Sequence, residues 1–168
     1  MTLAELNALD EEAFTETVGP VFEHSPWIAR AAARSRPFAS LDALERALAA
    51  VLDAADVDSK TALIAAHPDL AGRVAREGRL TPASGAEQAS AGLDRLTAGE
   101  RARFDELNAA YRERFGFPFV ICVREQTKET ILAAMERRVR NAREDEIATA
   151  LREIVAIAHL RLHDVVRA

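Results

Sequence analysis

The chain has 168 residues, 49% of them apolar and 29% charged, and a net charge of −5, the balance of an ordinary soluble globular protein able to bury a sizeable core in one domain spanning 1–168. Acidic and basic residues are interspersed, which excludes the electrostatic footprint of a nucleic-acid binder or of a protein held on an anionic membrane. Cys122 is the only cysteine, so an internal disulfide and a multi-cysteine zinc site are excluded, and a reducing compartment fits.

The opening MTLAELNALDEE places acidic residues where a signal peptide has basic ones, and no apolar run approaches the ~20 residues of a membrane span. The ending DVVRA carries neither a peroxisomal tail nor a lipidation box. The expected location is cytoplasmic.

In chain order, the breakers fall between periodic runs rich in Ala, Leu, Arg and Glu, which predicts an all-α, single-domain helical bundle. Asp10 is placed to cap a helix that stops near Gly19-Pro20. Ser25, with Pro26 at the first helical position, opens another that carries Trp27 and Ile28. Ser40 caps the run Leu41, Leu44, Leu48 and Leu52, and Ser59 precedes the run Leu63, Ile64 and His67. A helix starts around Ser84, where Ser84 and Glu87 have capping-box spacing. Another starts at Thr97 with Glu100 in the same relation, and Gly116 is its C-cap. Two long helices, from about Thr127 to Asn141 and from Arg143 to the end, complete the chain.

One segment departs from this pattern. Phe117-Pro118-Phe119-Val120-Ile121-Cys122-Val123 is apolar, β-branched and too short for an independent helix, so 117–123 reads as a buried extended piece. With no second strand-like run to pair with it, its backbone polar groups need helix ends, water or a ligand. It serves equally well as a core-crossing connector or as a recognition element for a polar small molecule.

Several residues could carry chemistry, and each also has a structural reading. In the last helix Ile147, Leu151, Ile154, Ala158 and Val165 recur at steps of four and three, and Arg161 stands in the same stripe. A guanidinium there needs a buried carboxylate or an anionic ligand. His67 projects an imidazole from the edge of an apolar face just before Pro68, as a hydrogen-bonded core histidine or as an acid/base group. Glu87 and Gln88 lie in a first helical turn, where Glu87 closes a capping box with Ser84, while that helix N-terminus could also hold an anion, with Ser84 and Gln88 supplying a hydroxyl and an amide to orient it. His159 and His163 have the i, i+4 spacing of paired metal ligands but lack an HExxH motif, and read as solvent-exposed. Cys122 reads as a small core residue and His24 as a helix-junction residue.

Taken together, VFEHSPWIARAAARSRPF, AAHPDLAG, TPASGAEQASAGL, FGFPFVICVR and an arginine in a terminal helix resemble, over nearly the whole chain, the 2-oxo-4-hydroxy-4-carboxy-5-ureidoimidazoline (OHCU) decarboxylase family of urate degradation. The resemblance implies an all-α fold, no cofactor or metal, and conversion of OHCU to (S)-allantoin and CO2. It implies that His67 is the essential acid/base residue and that Glu87 acts beside it in a pocket with Pro68, Ser84 and Gln88. It further implies that backbone groups of Phe119, Val120, Ile121, Cys122 and Val123 contact the substrate ring and that Arg161 holds an anionic part of it. Urate oxidase and hydroxyisourate hydrolase are the implied pathway neighbours, and the resemblance allows a homodimer. Two other readings stay open on residues alone: a non-catalytic helical interaction module whose Arg161 pairs with an internal carboxylate, and a metal-dependent hydrolase using His159, His163 and a nearby acid.

Overall fold

The computed structural model describes residues 1–167, the side chain of residue 125 excepted. Among the described residues it is all-α, with ten α-helices and one isolated parallel bridge between Thr2 and Arg167. The helices group into two compact units, Met1–Ala66 with Val155–Ala168, and His67–Ile154. No described helix is long and apolar enough to cross a membrane.

The first unit contains α1 (Leu3–Ala8), α2 (Glu11–Val18), α3 (Trp27–Ala32), α4 (Leu41–Ala54), α5 (Val57–Ala65) and the C-terminal part of α10 (Arg143–Val165). Its longest complete helix, α4, shows how local sequence becomes packing. Ser40 accepts a hydrogen bond from the Ala43 N–H, as its cap position predicts. Leu41, Leu44, Leu48 and Leu52 then recur at helical spacing, and all four are buried. Truncating Leu44, which is fully buried, would cost about 2–5 kcal/mol.

The second unit contains α6 (Arg73–Arg76), α7 (Pro82–Ser90), α8 (Ala98–Phe115), α9 (Lys128–Arg138) and the N-terminal part of α10. Thr97 and Glu100 form the expected capping box of α8. Gly116 ends that helix at φ 79°, a left-handed conformation that glycine adopts without a Cβ penalty. The released chain turns Phe117 and Phe119 against Tyr111, with ring centroids 6.0 and 5.4 Å away, an edge-to-face arrangement favoured by the ring quadrupoles.

Several boundaries differ from expectation. Helix α1 lies outside the predicted elements, although Thr2 and Glu5 make a capping box for it. Pro26 is the N-cap of α3 rather than its first helical residue. Helix α5 is capped by Asp56, whose carboxylate accepts the Ser59 N–H, so Ser59 lies inside the helix. Helix α9 stops at Arg138, before Asn141. In α10 the buried positions include Ala150, Ile154, Ile157, Ala158, Arg161 and Leu162, whereas Ile147, Leu151 and Val165 are half-buried. The stripe is rotated from its predicted register, and Arg161 remains within it.

Candidate active site

His67 lies just past the end of α5, beyond the C-cap Ala66, rather than on the helix itself. It is 6% exposed. The loop that follows is fastened at four points, three of them on its backbone. Gln88 Oε1 accepts the Ala71 N–H at 3.0 Å, and Asn108 Nδ2 donates to the Leu70 carbonyl at 2.9 Å. Arg112 Nε bridges both Asp69 carboxylate oxygens at 2.8 and 3.1 Å, and Arg76 Nη1 donates to the Ala71 carbonyl at 3.2 Å. These bonds hold Ala71 at φ 52°, a left-handed conformation that costs an alanine about 1–2 kcal/mol. Gly72 is required by space, since a Cβ there would come within 2.7 Å of the Asp69 Cβ. Histidine, Asp69 and the residues after them thus share one braced loop.

Helix α7 corrects the expected capping role of Ser84 and Glu87. Thr81 is the N-cap, its hydroxyl accepting the Ser84 N–H at 3.3 Å, and Pro82 takes the first helical position. Proline there loses no helical hydrogen bond, so Thr-Pro sets the start and moves Ser84 and Glu87 into the helix. Ser84, Glu87 and Gln88 then follow i, i+3, i+4 spacing on one face, and all three are buried. Such a face is costly unless its polar groups are partnered. Gln88 meets the His67 loop, and Glu87 receives Arg124 Nη2 at 3.4 Å. Arg124, in a 3-10 turn spanning Val123–Glu125, is a residue that the sequence reading passed over. Its position at the end of FPFVICVR, beyond an apolar run, was the available signal.

The extended segment occurs as expected, with no strand partner among the described residues. Phe119, Val120, Ile121 and Val123 are buried and Cys122 is half-buried. Two of its backbone groups are satisfied by side chains: the Val120 carbonyl accepts from Arg138 Nη1 at 2.9 Å, and the Cys122 N–H donates to Glu153 at 2.8 Å. Arg138 also lies over the Phe119 ring, 4.3 Å from its centroid. Its guanidinium is held by Glu146, with Nε at 3.1 and 3.2 Å from the two carboxylate oxygens. Glu146 in turn accepts from Asn141 Nδ2 at 3.0 Å and from the Tyr111 hydroxyl. Burial is the main cause that pushes the Tyr111 phenol well above its ordinary pKa, followed by its hydrogen bond to Glu146. A buried ionic network therefore fixes the path of the segment.

A cavity of about 550 Å3 in this unit is bordered by Arg76, Thr81, Gln88, Leu93 and Arg101, among others. Gln88 is the one residue it shares with the expected site positions.

Arg161 belongs to the other unit. Its Nη1 donates to Glu23 Oε2 at 3.0 Å, and the two side chains are 5% and 2% exposed. Of the two anions that its buried charge allowed, the structure supplies a carboxylate. His24, next to that carboxylate in sequence, is exposed and holds φ 47°. His159 and His163 are exposed, as expected, and stand beside Glu45. Among the described residues those three are the group of histidine and acid side chains close enough to hold a metal ion.

The sequence model of the OHCU decarboxylase family matches residues 7–163. Among similar proteins is the 2-oxo-4-hydroxy-4-carboxy-5-ureidoimidazoline decarboxylase of Haloferax volcanii, 46% identical over 96% of this chain and 94% of that protein. The decarboxylase of Mus musculus is 40% identical over 100% of this chain and 94% of its own length. The uric acid degradation bifunctional protein PucL of Bacillus subtilis is 40% identical over 98% of this chain, which spans 33% of that longer protein. In solved structures, the fold resembles (S)-allantoin synthase with a TM-score of 0.79 and 30% identity, covering 99% of this chain and 54% of that one. It also resembles an OHCU decarboxylase crystallised in the presence of (S)-allantoin, with a TM-score of 0.71 and 25% identity over 93% and 97% of the two chains. On this near-complete match, the chain belongs to the OHCU decarboxylase family.

Proposed function

We propose that this protein decarboxylates OHCU to (S)-allantoin and CO2, with His67 and Glu87 as its acid/base residues. The observation that carries the reading is family membership across almost the whole chain. The burial of His67, Ser84, Glu87 and Gln88 within one unit supports it, because an apolar surround sharpens electrostatic and proton-transfer interactions.

The chemistry suits a protein that supplies only positioned side chains. The bond from C4 to the carboxylate breaks, its electron pair forms C4=C5, and the pair of the adjacent C=N bond moves to nitrogen, which takes up a proton. The enol-like intermediate then receives a proton at C5 on one face while the C4 hydroxyl loses its own, giving the C4 carbonyl. The net reaction consumes one proton and releases CO2. The substrate is its own electron sink, so a cofactor is not needed for that task.

His67 is assigned the proton movements at the C4 hydroxyl or ring nitrogen and at C5, since an imidazole can both give and accept near neutral pH. Glu87 is assigned to orient His67 or a substrate N–H. Ser84, Gln88, Pro68 and the segment Phe119, Val120, Ile121, Cys122 and Val123 are assigned to substrate binding. Arg161 is assigned to an anionic group of the substrate; the support for that role is the resemblance and its buried positive charge. We place the protein in the cytoplasm, acting after urate oxidase and hydroxyisourate hydrolase. The test is to generate OHCU in situ from hydroxyisourate, add the protein, and follow (S)-allantoin by circular dichroism. Decay at the uncatalysed rate, giving racemic product, would overturn the reading.

A further inference from the structure

We propose that Glu45, His159 and His163 form a binding site for a late first-row divalent cation, with zinc as the reference ion, that ties α4 to the last turns of α10 within the first unit. His159 and His163 are four residues apart on α10, so their rings neighbour each other on one helix face, with centroids 4.5 Å apart and planes tilted by 54°. Across from them, Glu45 on α4 places a single oxygen, Oε1, 2.9 Å from His159 Nδ1 and 2.9 Å from His163 Nε2. Two imidazoles from one element and a carboxylate from another therefore aim at one point. One ligand atom from each residue lies within 4.8 Å of the others.

The donor set selects the ion. Two imidazole nitrogens and one carboxylate oxygen suit zinc, nickel or copper, whereas calcium and magnesium require mostly oxygen ligands. Bonds of 2.0–2.1 Å to a tetrahedral ion would bring neighbouring donors to about 3.4 Å, so closing the site needs movements of about 1 Å or less per side chain. All three side chains have room for that: they are 26%, 51% and 46% exposed for Glu45, His159 and His163. Their exposure also leaves solvent to complete the coordination. Arg161 sits two residues from each histidine, about 200° around the helix, and is buried where they are exposed. The metal face and the Arg161 face are thus separate sides of the same turns.

Without metal, two imidazole N–H groups donating to one carboxylate would give the same resting arrangement, so binding must be measured directly. Zinc is titrated by isothermal calorimetry into the full-length wild-type protein and into His159→Gln/His163→Gln and Glu45→Gln, with magnesium as the control ion and thermal melts run in parallel. One zinc per chain is expected for wild type and no binding at that stoichiometry for the double variant. Glu45→Gln is expected to bind at least about tenfold more weakly, and zinc to raise the Tm of wild type most, of Glu45→Gln less and of the double variant not at all. Absence of saturable zinc binding, or equal binding by the double variant through other residues such as Cys122, overturns the proposal. Should the double variant fail to fold, unchanged affinity in Glu45→Gln overturns it as well.

Discussion

Arg161 and Glu23, 138 residues apart, meet at 3.0 Å with almost no exposure on either side chain. A buried ion pair is seldom more stabilising than an apolar pair of the same volume, but removing one partner leaves an uncompensated charge at a cost of about 3–5 kcal/mol. Glu23→Ala is therefore expected to lower the urea unfolding free energy by that amount, and Glu23→Leu/Arg161→Met to recover most of it. If the double variant is as well folded as wild type yet shows a raised KM in the OHCU assay, the arginine serves the substrate as well as Glu23. An unchanged KM would assign Arg161 to structure alone.

His67→Asn is expected to keep the unfolding midpoint and lose at least about 100-fold in decarboxylation, the range of general acid–base contributions. Asparagine retains a polar group at a buried position and cannot shuttle a proton. Wild-type turnover by this variant would remove His67 from the chemistry, and coincident loss of fold and activity would mark it as structural.

The helices were readable in the sequence where a cap and a stripe agreed, as in α4, or where caps marked both ends, as in α8. The extended segment was readable because its β-branched run had no partner. Boundaries failed where two local signals competed. At α7, Thr81-Pro82 outweighed the Ser84–Glu87 capping pattern, and what looked like a surface cap became a buried polar face. Arg161 was found because it broke a stripe, while its partner Glu23 sits in a short segment with no period to break. Arg124, Glu153 and Asn108 act on backbone or side chains far along the chain, and pattern reading within a window does not contain such contacts.

Gln88 offers a test of the loop that carries His67. Gln88→Leu keeps the volume but orphans the buried Ala71 N–H, with an expected cost of about 1–3 kcal/mol. The loss should be local, so the Ala71 amide should exchange with solvent much faster while core amides of α8 keep their protection. Uniform loss of protection would show that the loop and the helix open as one unit.

Tyr111 is the only tyrosine in the chain, which makes its ionisation directly readable from phenolate absorbance. Burial, reinforced by the bond to Glu146, raises its folded-state pKa above the ordinary value. The unfolded chain then releases the phenolic proton first, so below about pH 10 this group adds no pH dependence, and above it the unfolded state binds fewer protons than the folded one. Stability should fall as pH rises past about 10. Tyr111→Phe should be less stable at neutral pH, because Glu146 loses a hydrogen-bond donor, and should lack this component of the alkaline decline. The phenolate signal of the wild type should appear together with unfolding measured by far-UV circular dichroism. A phenolate signal that titrates near pH 10 in a still-folded protein would contradict the buried Tyr111–Glu146–Arg138 network, and with it the account of what holds the Phe119–Val123 segment in place.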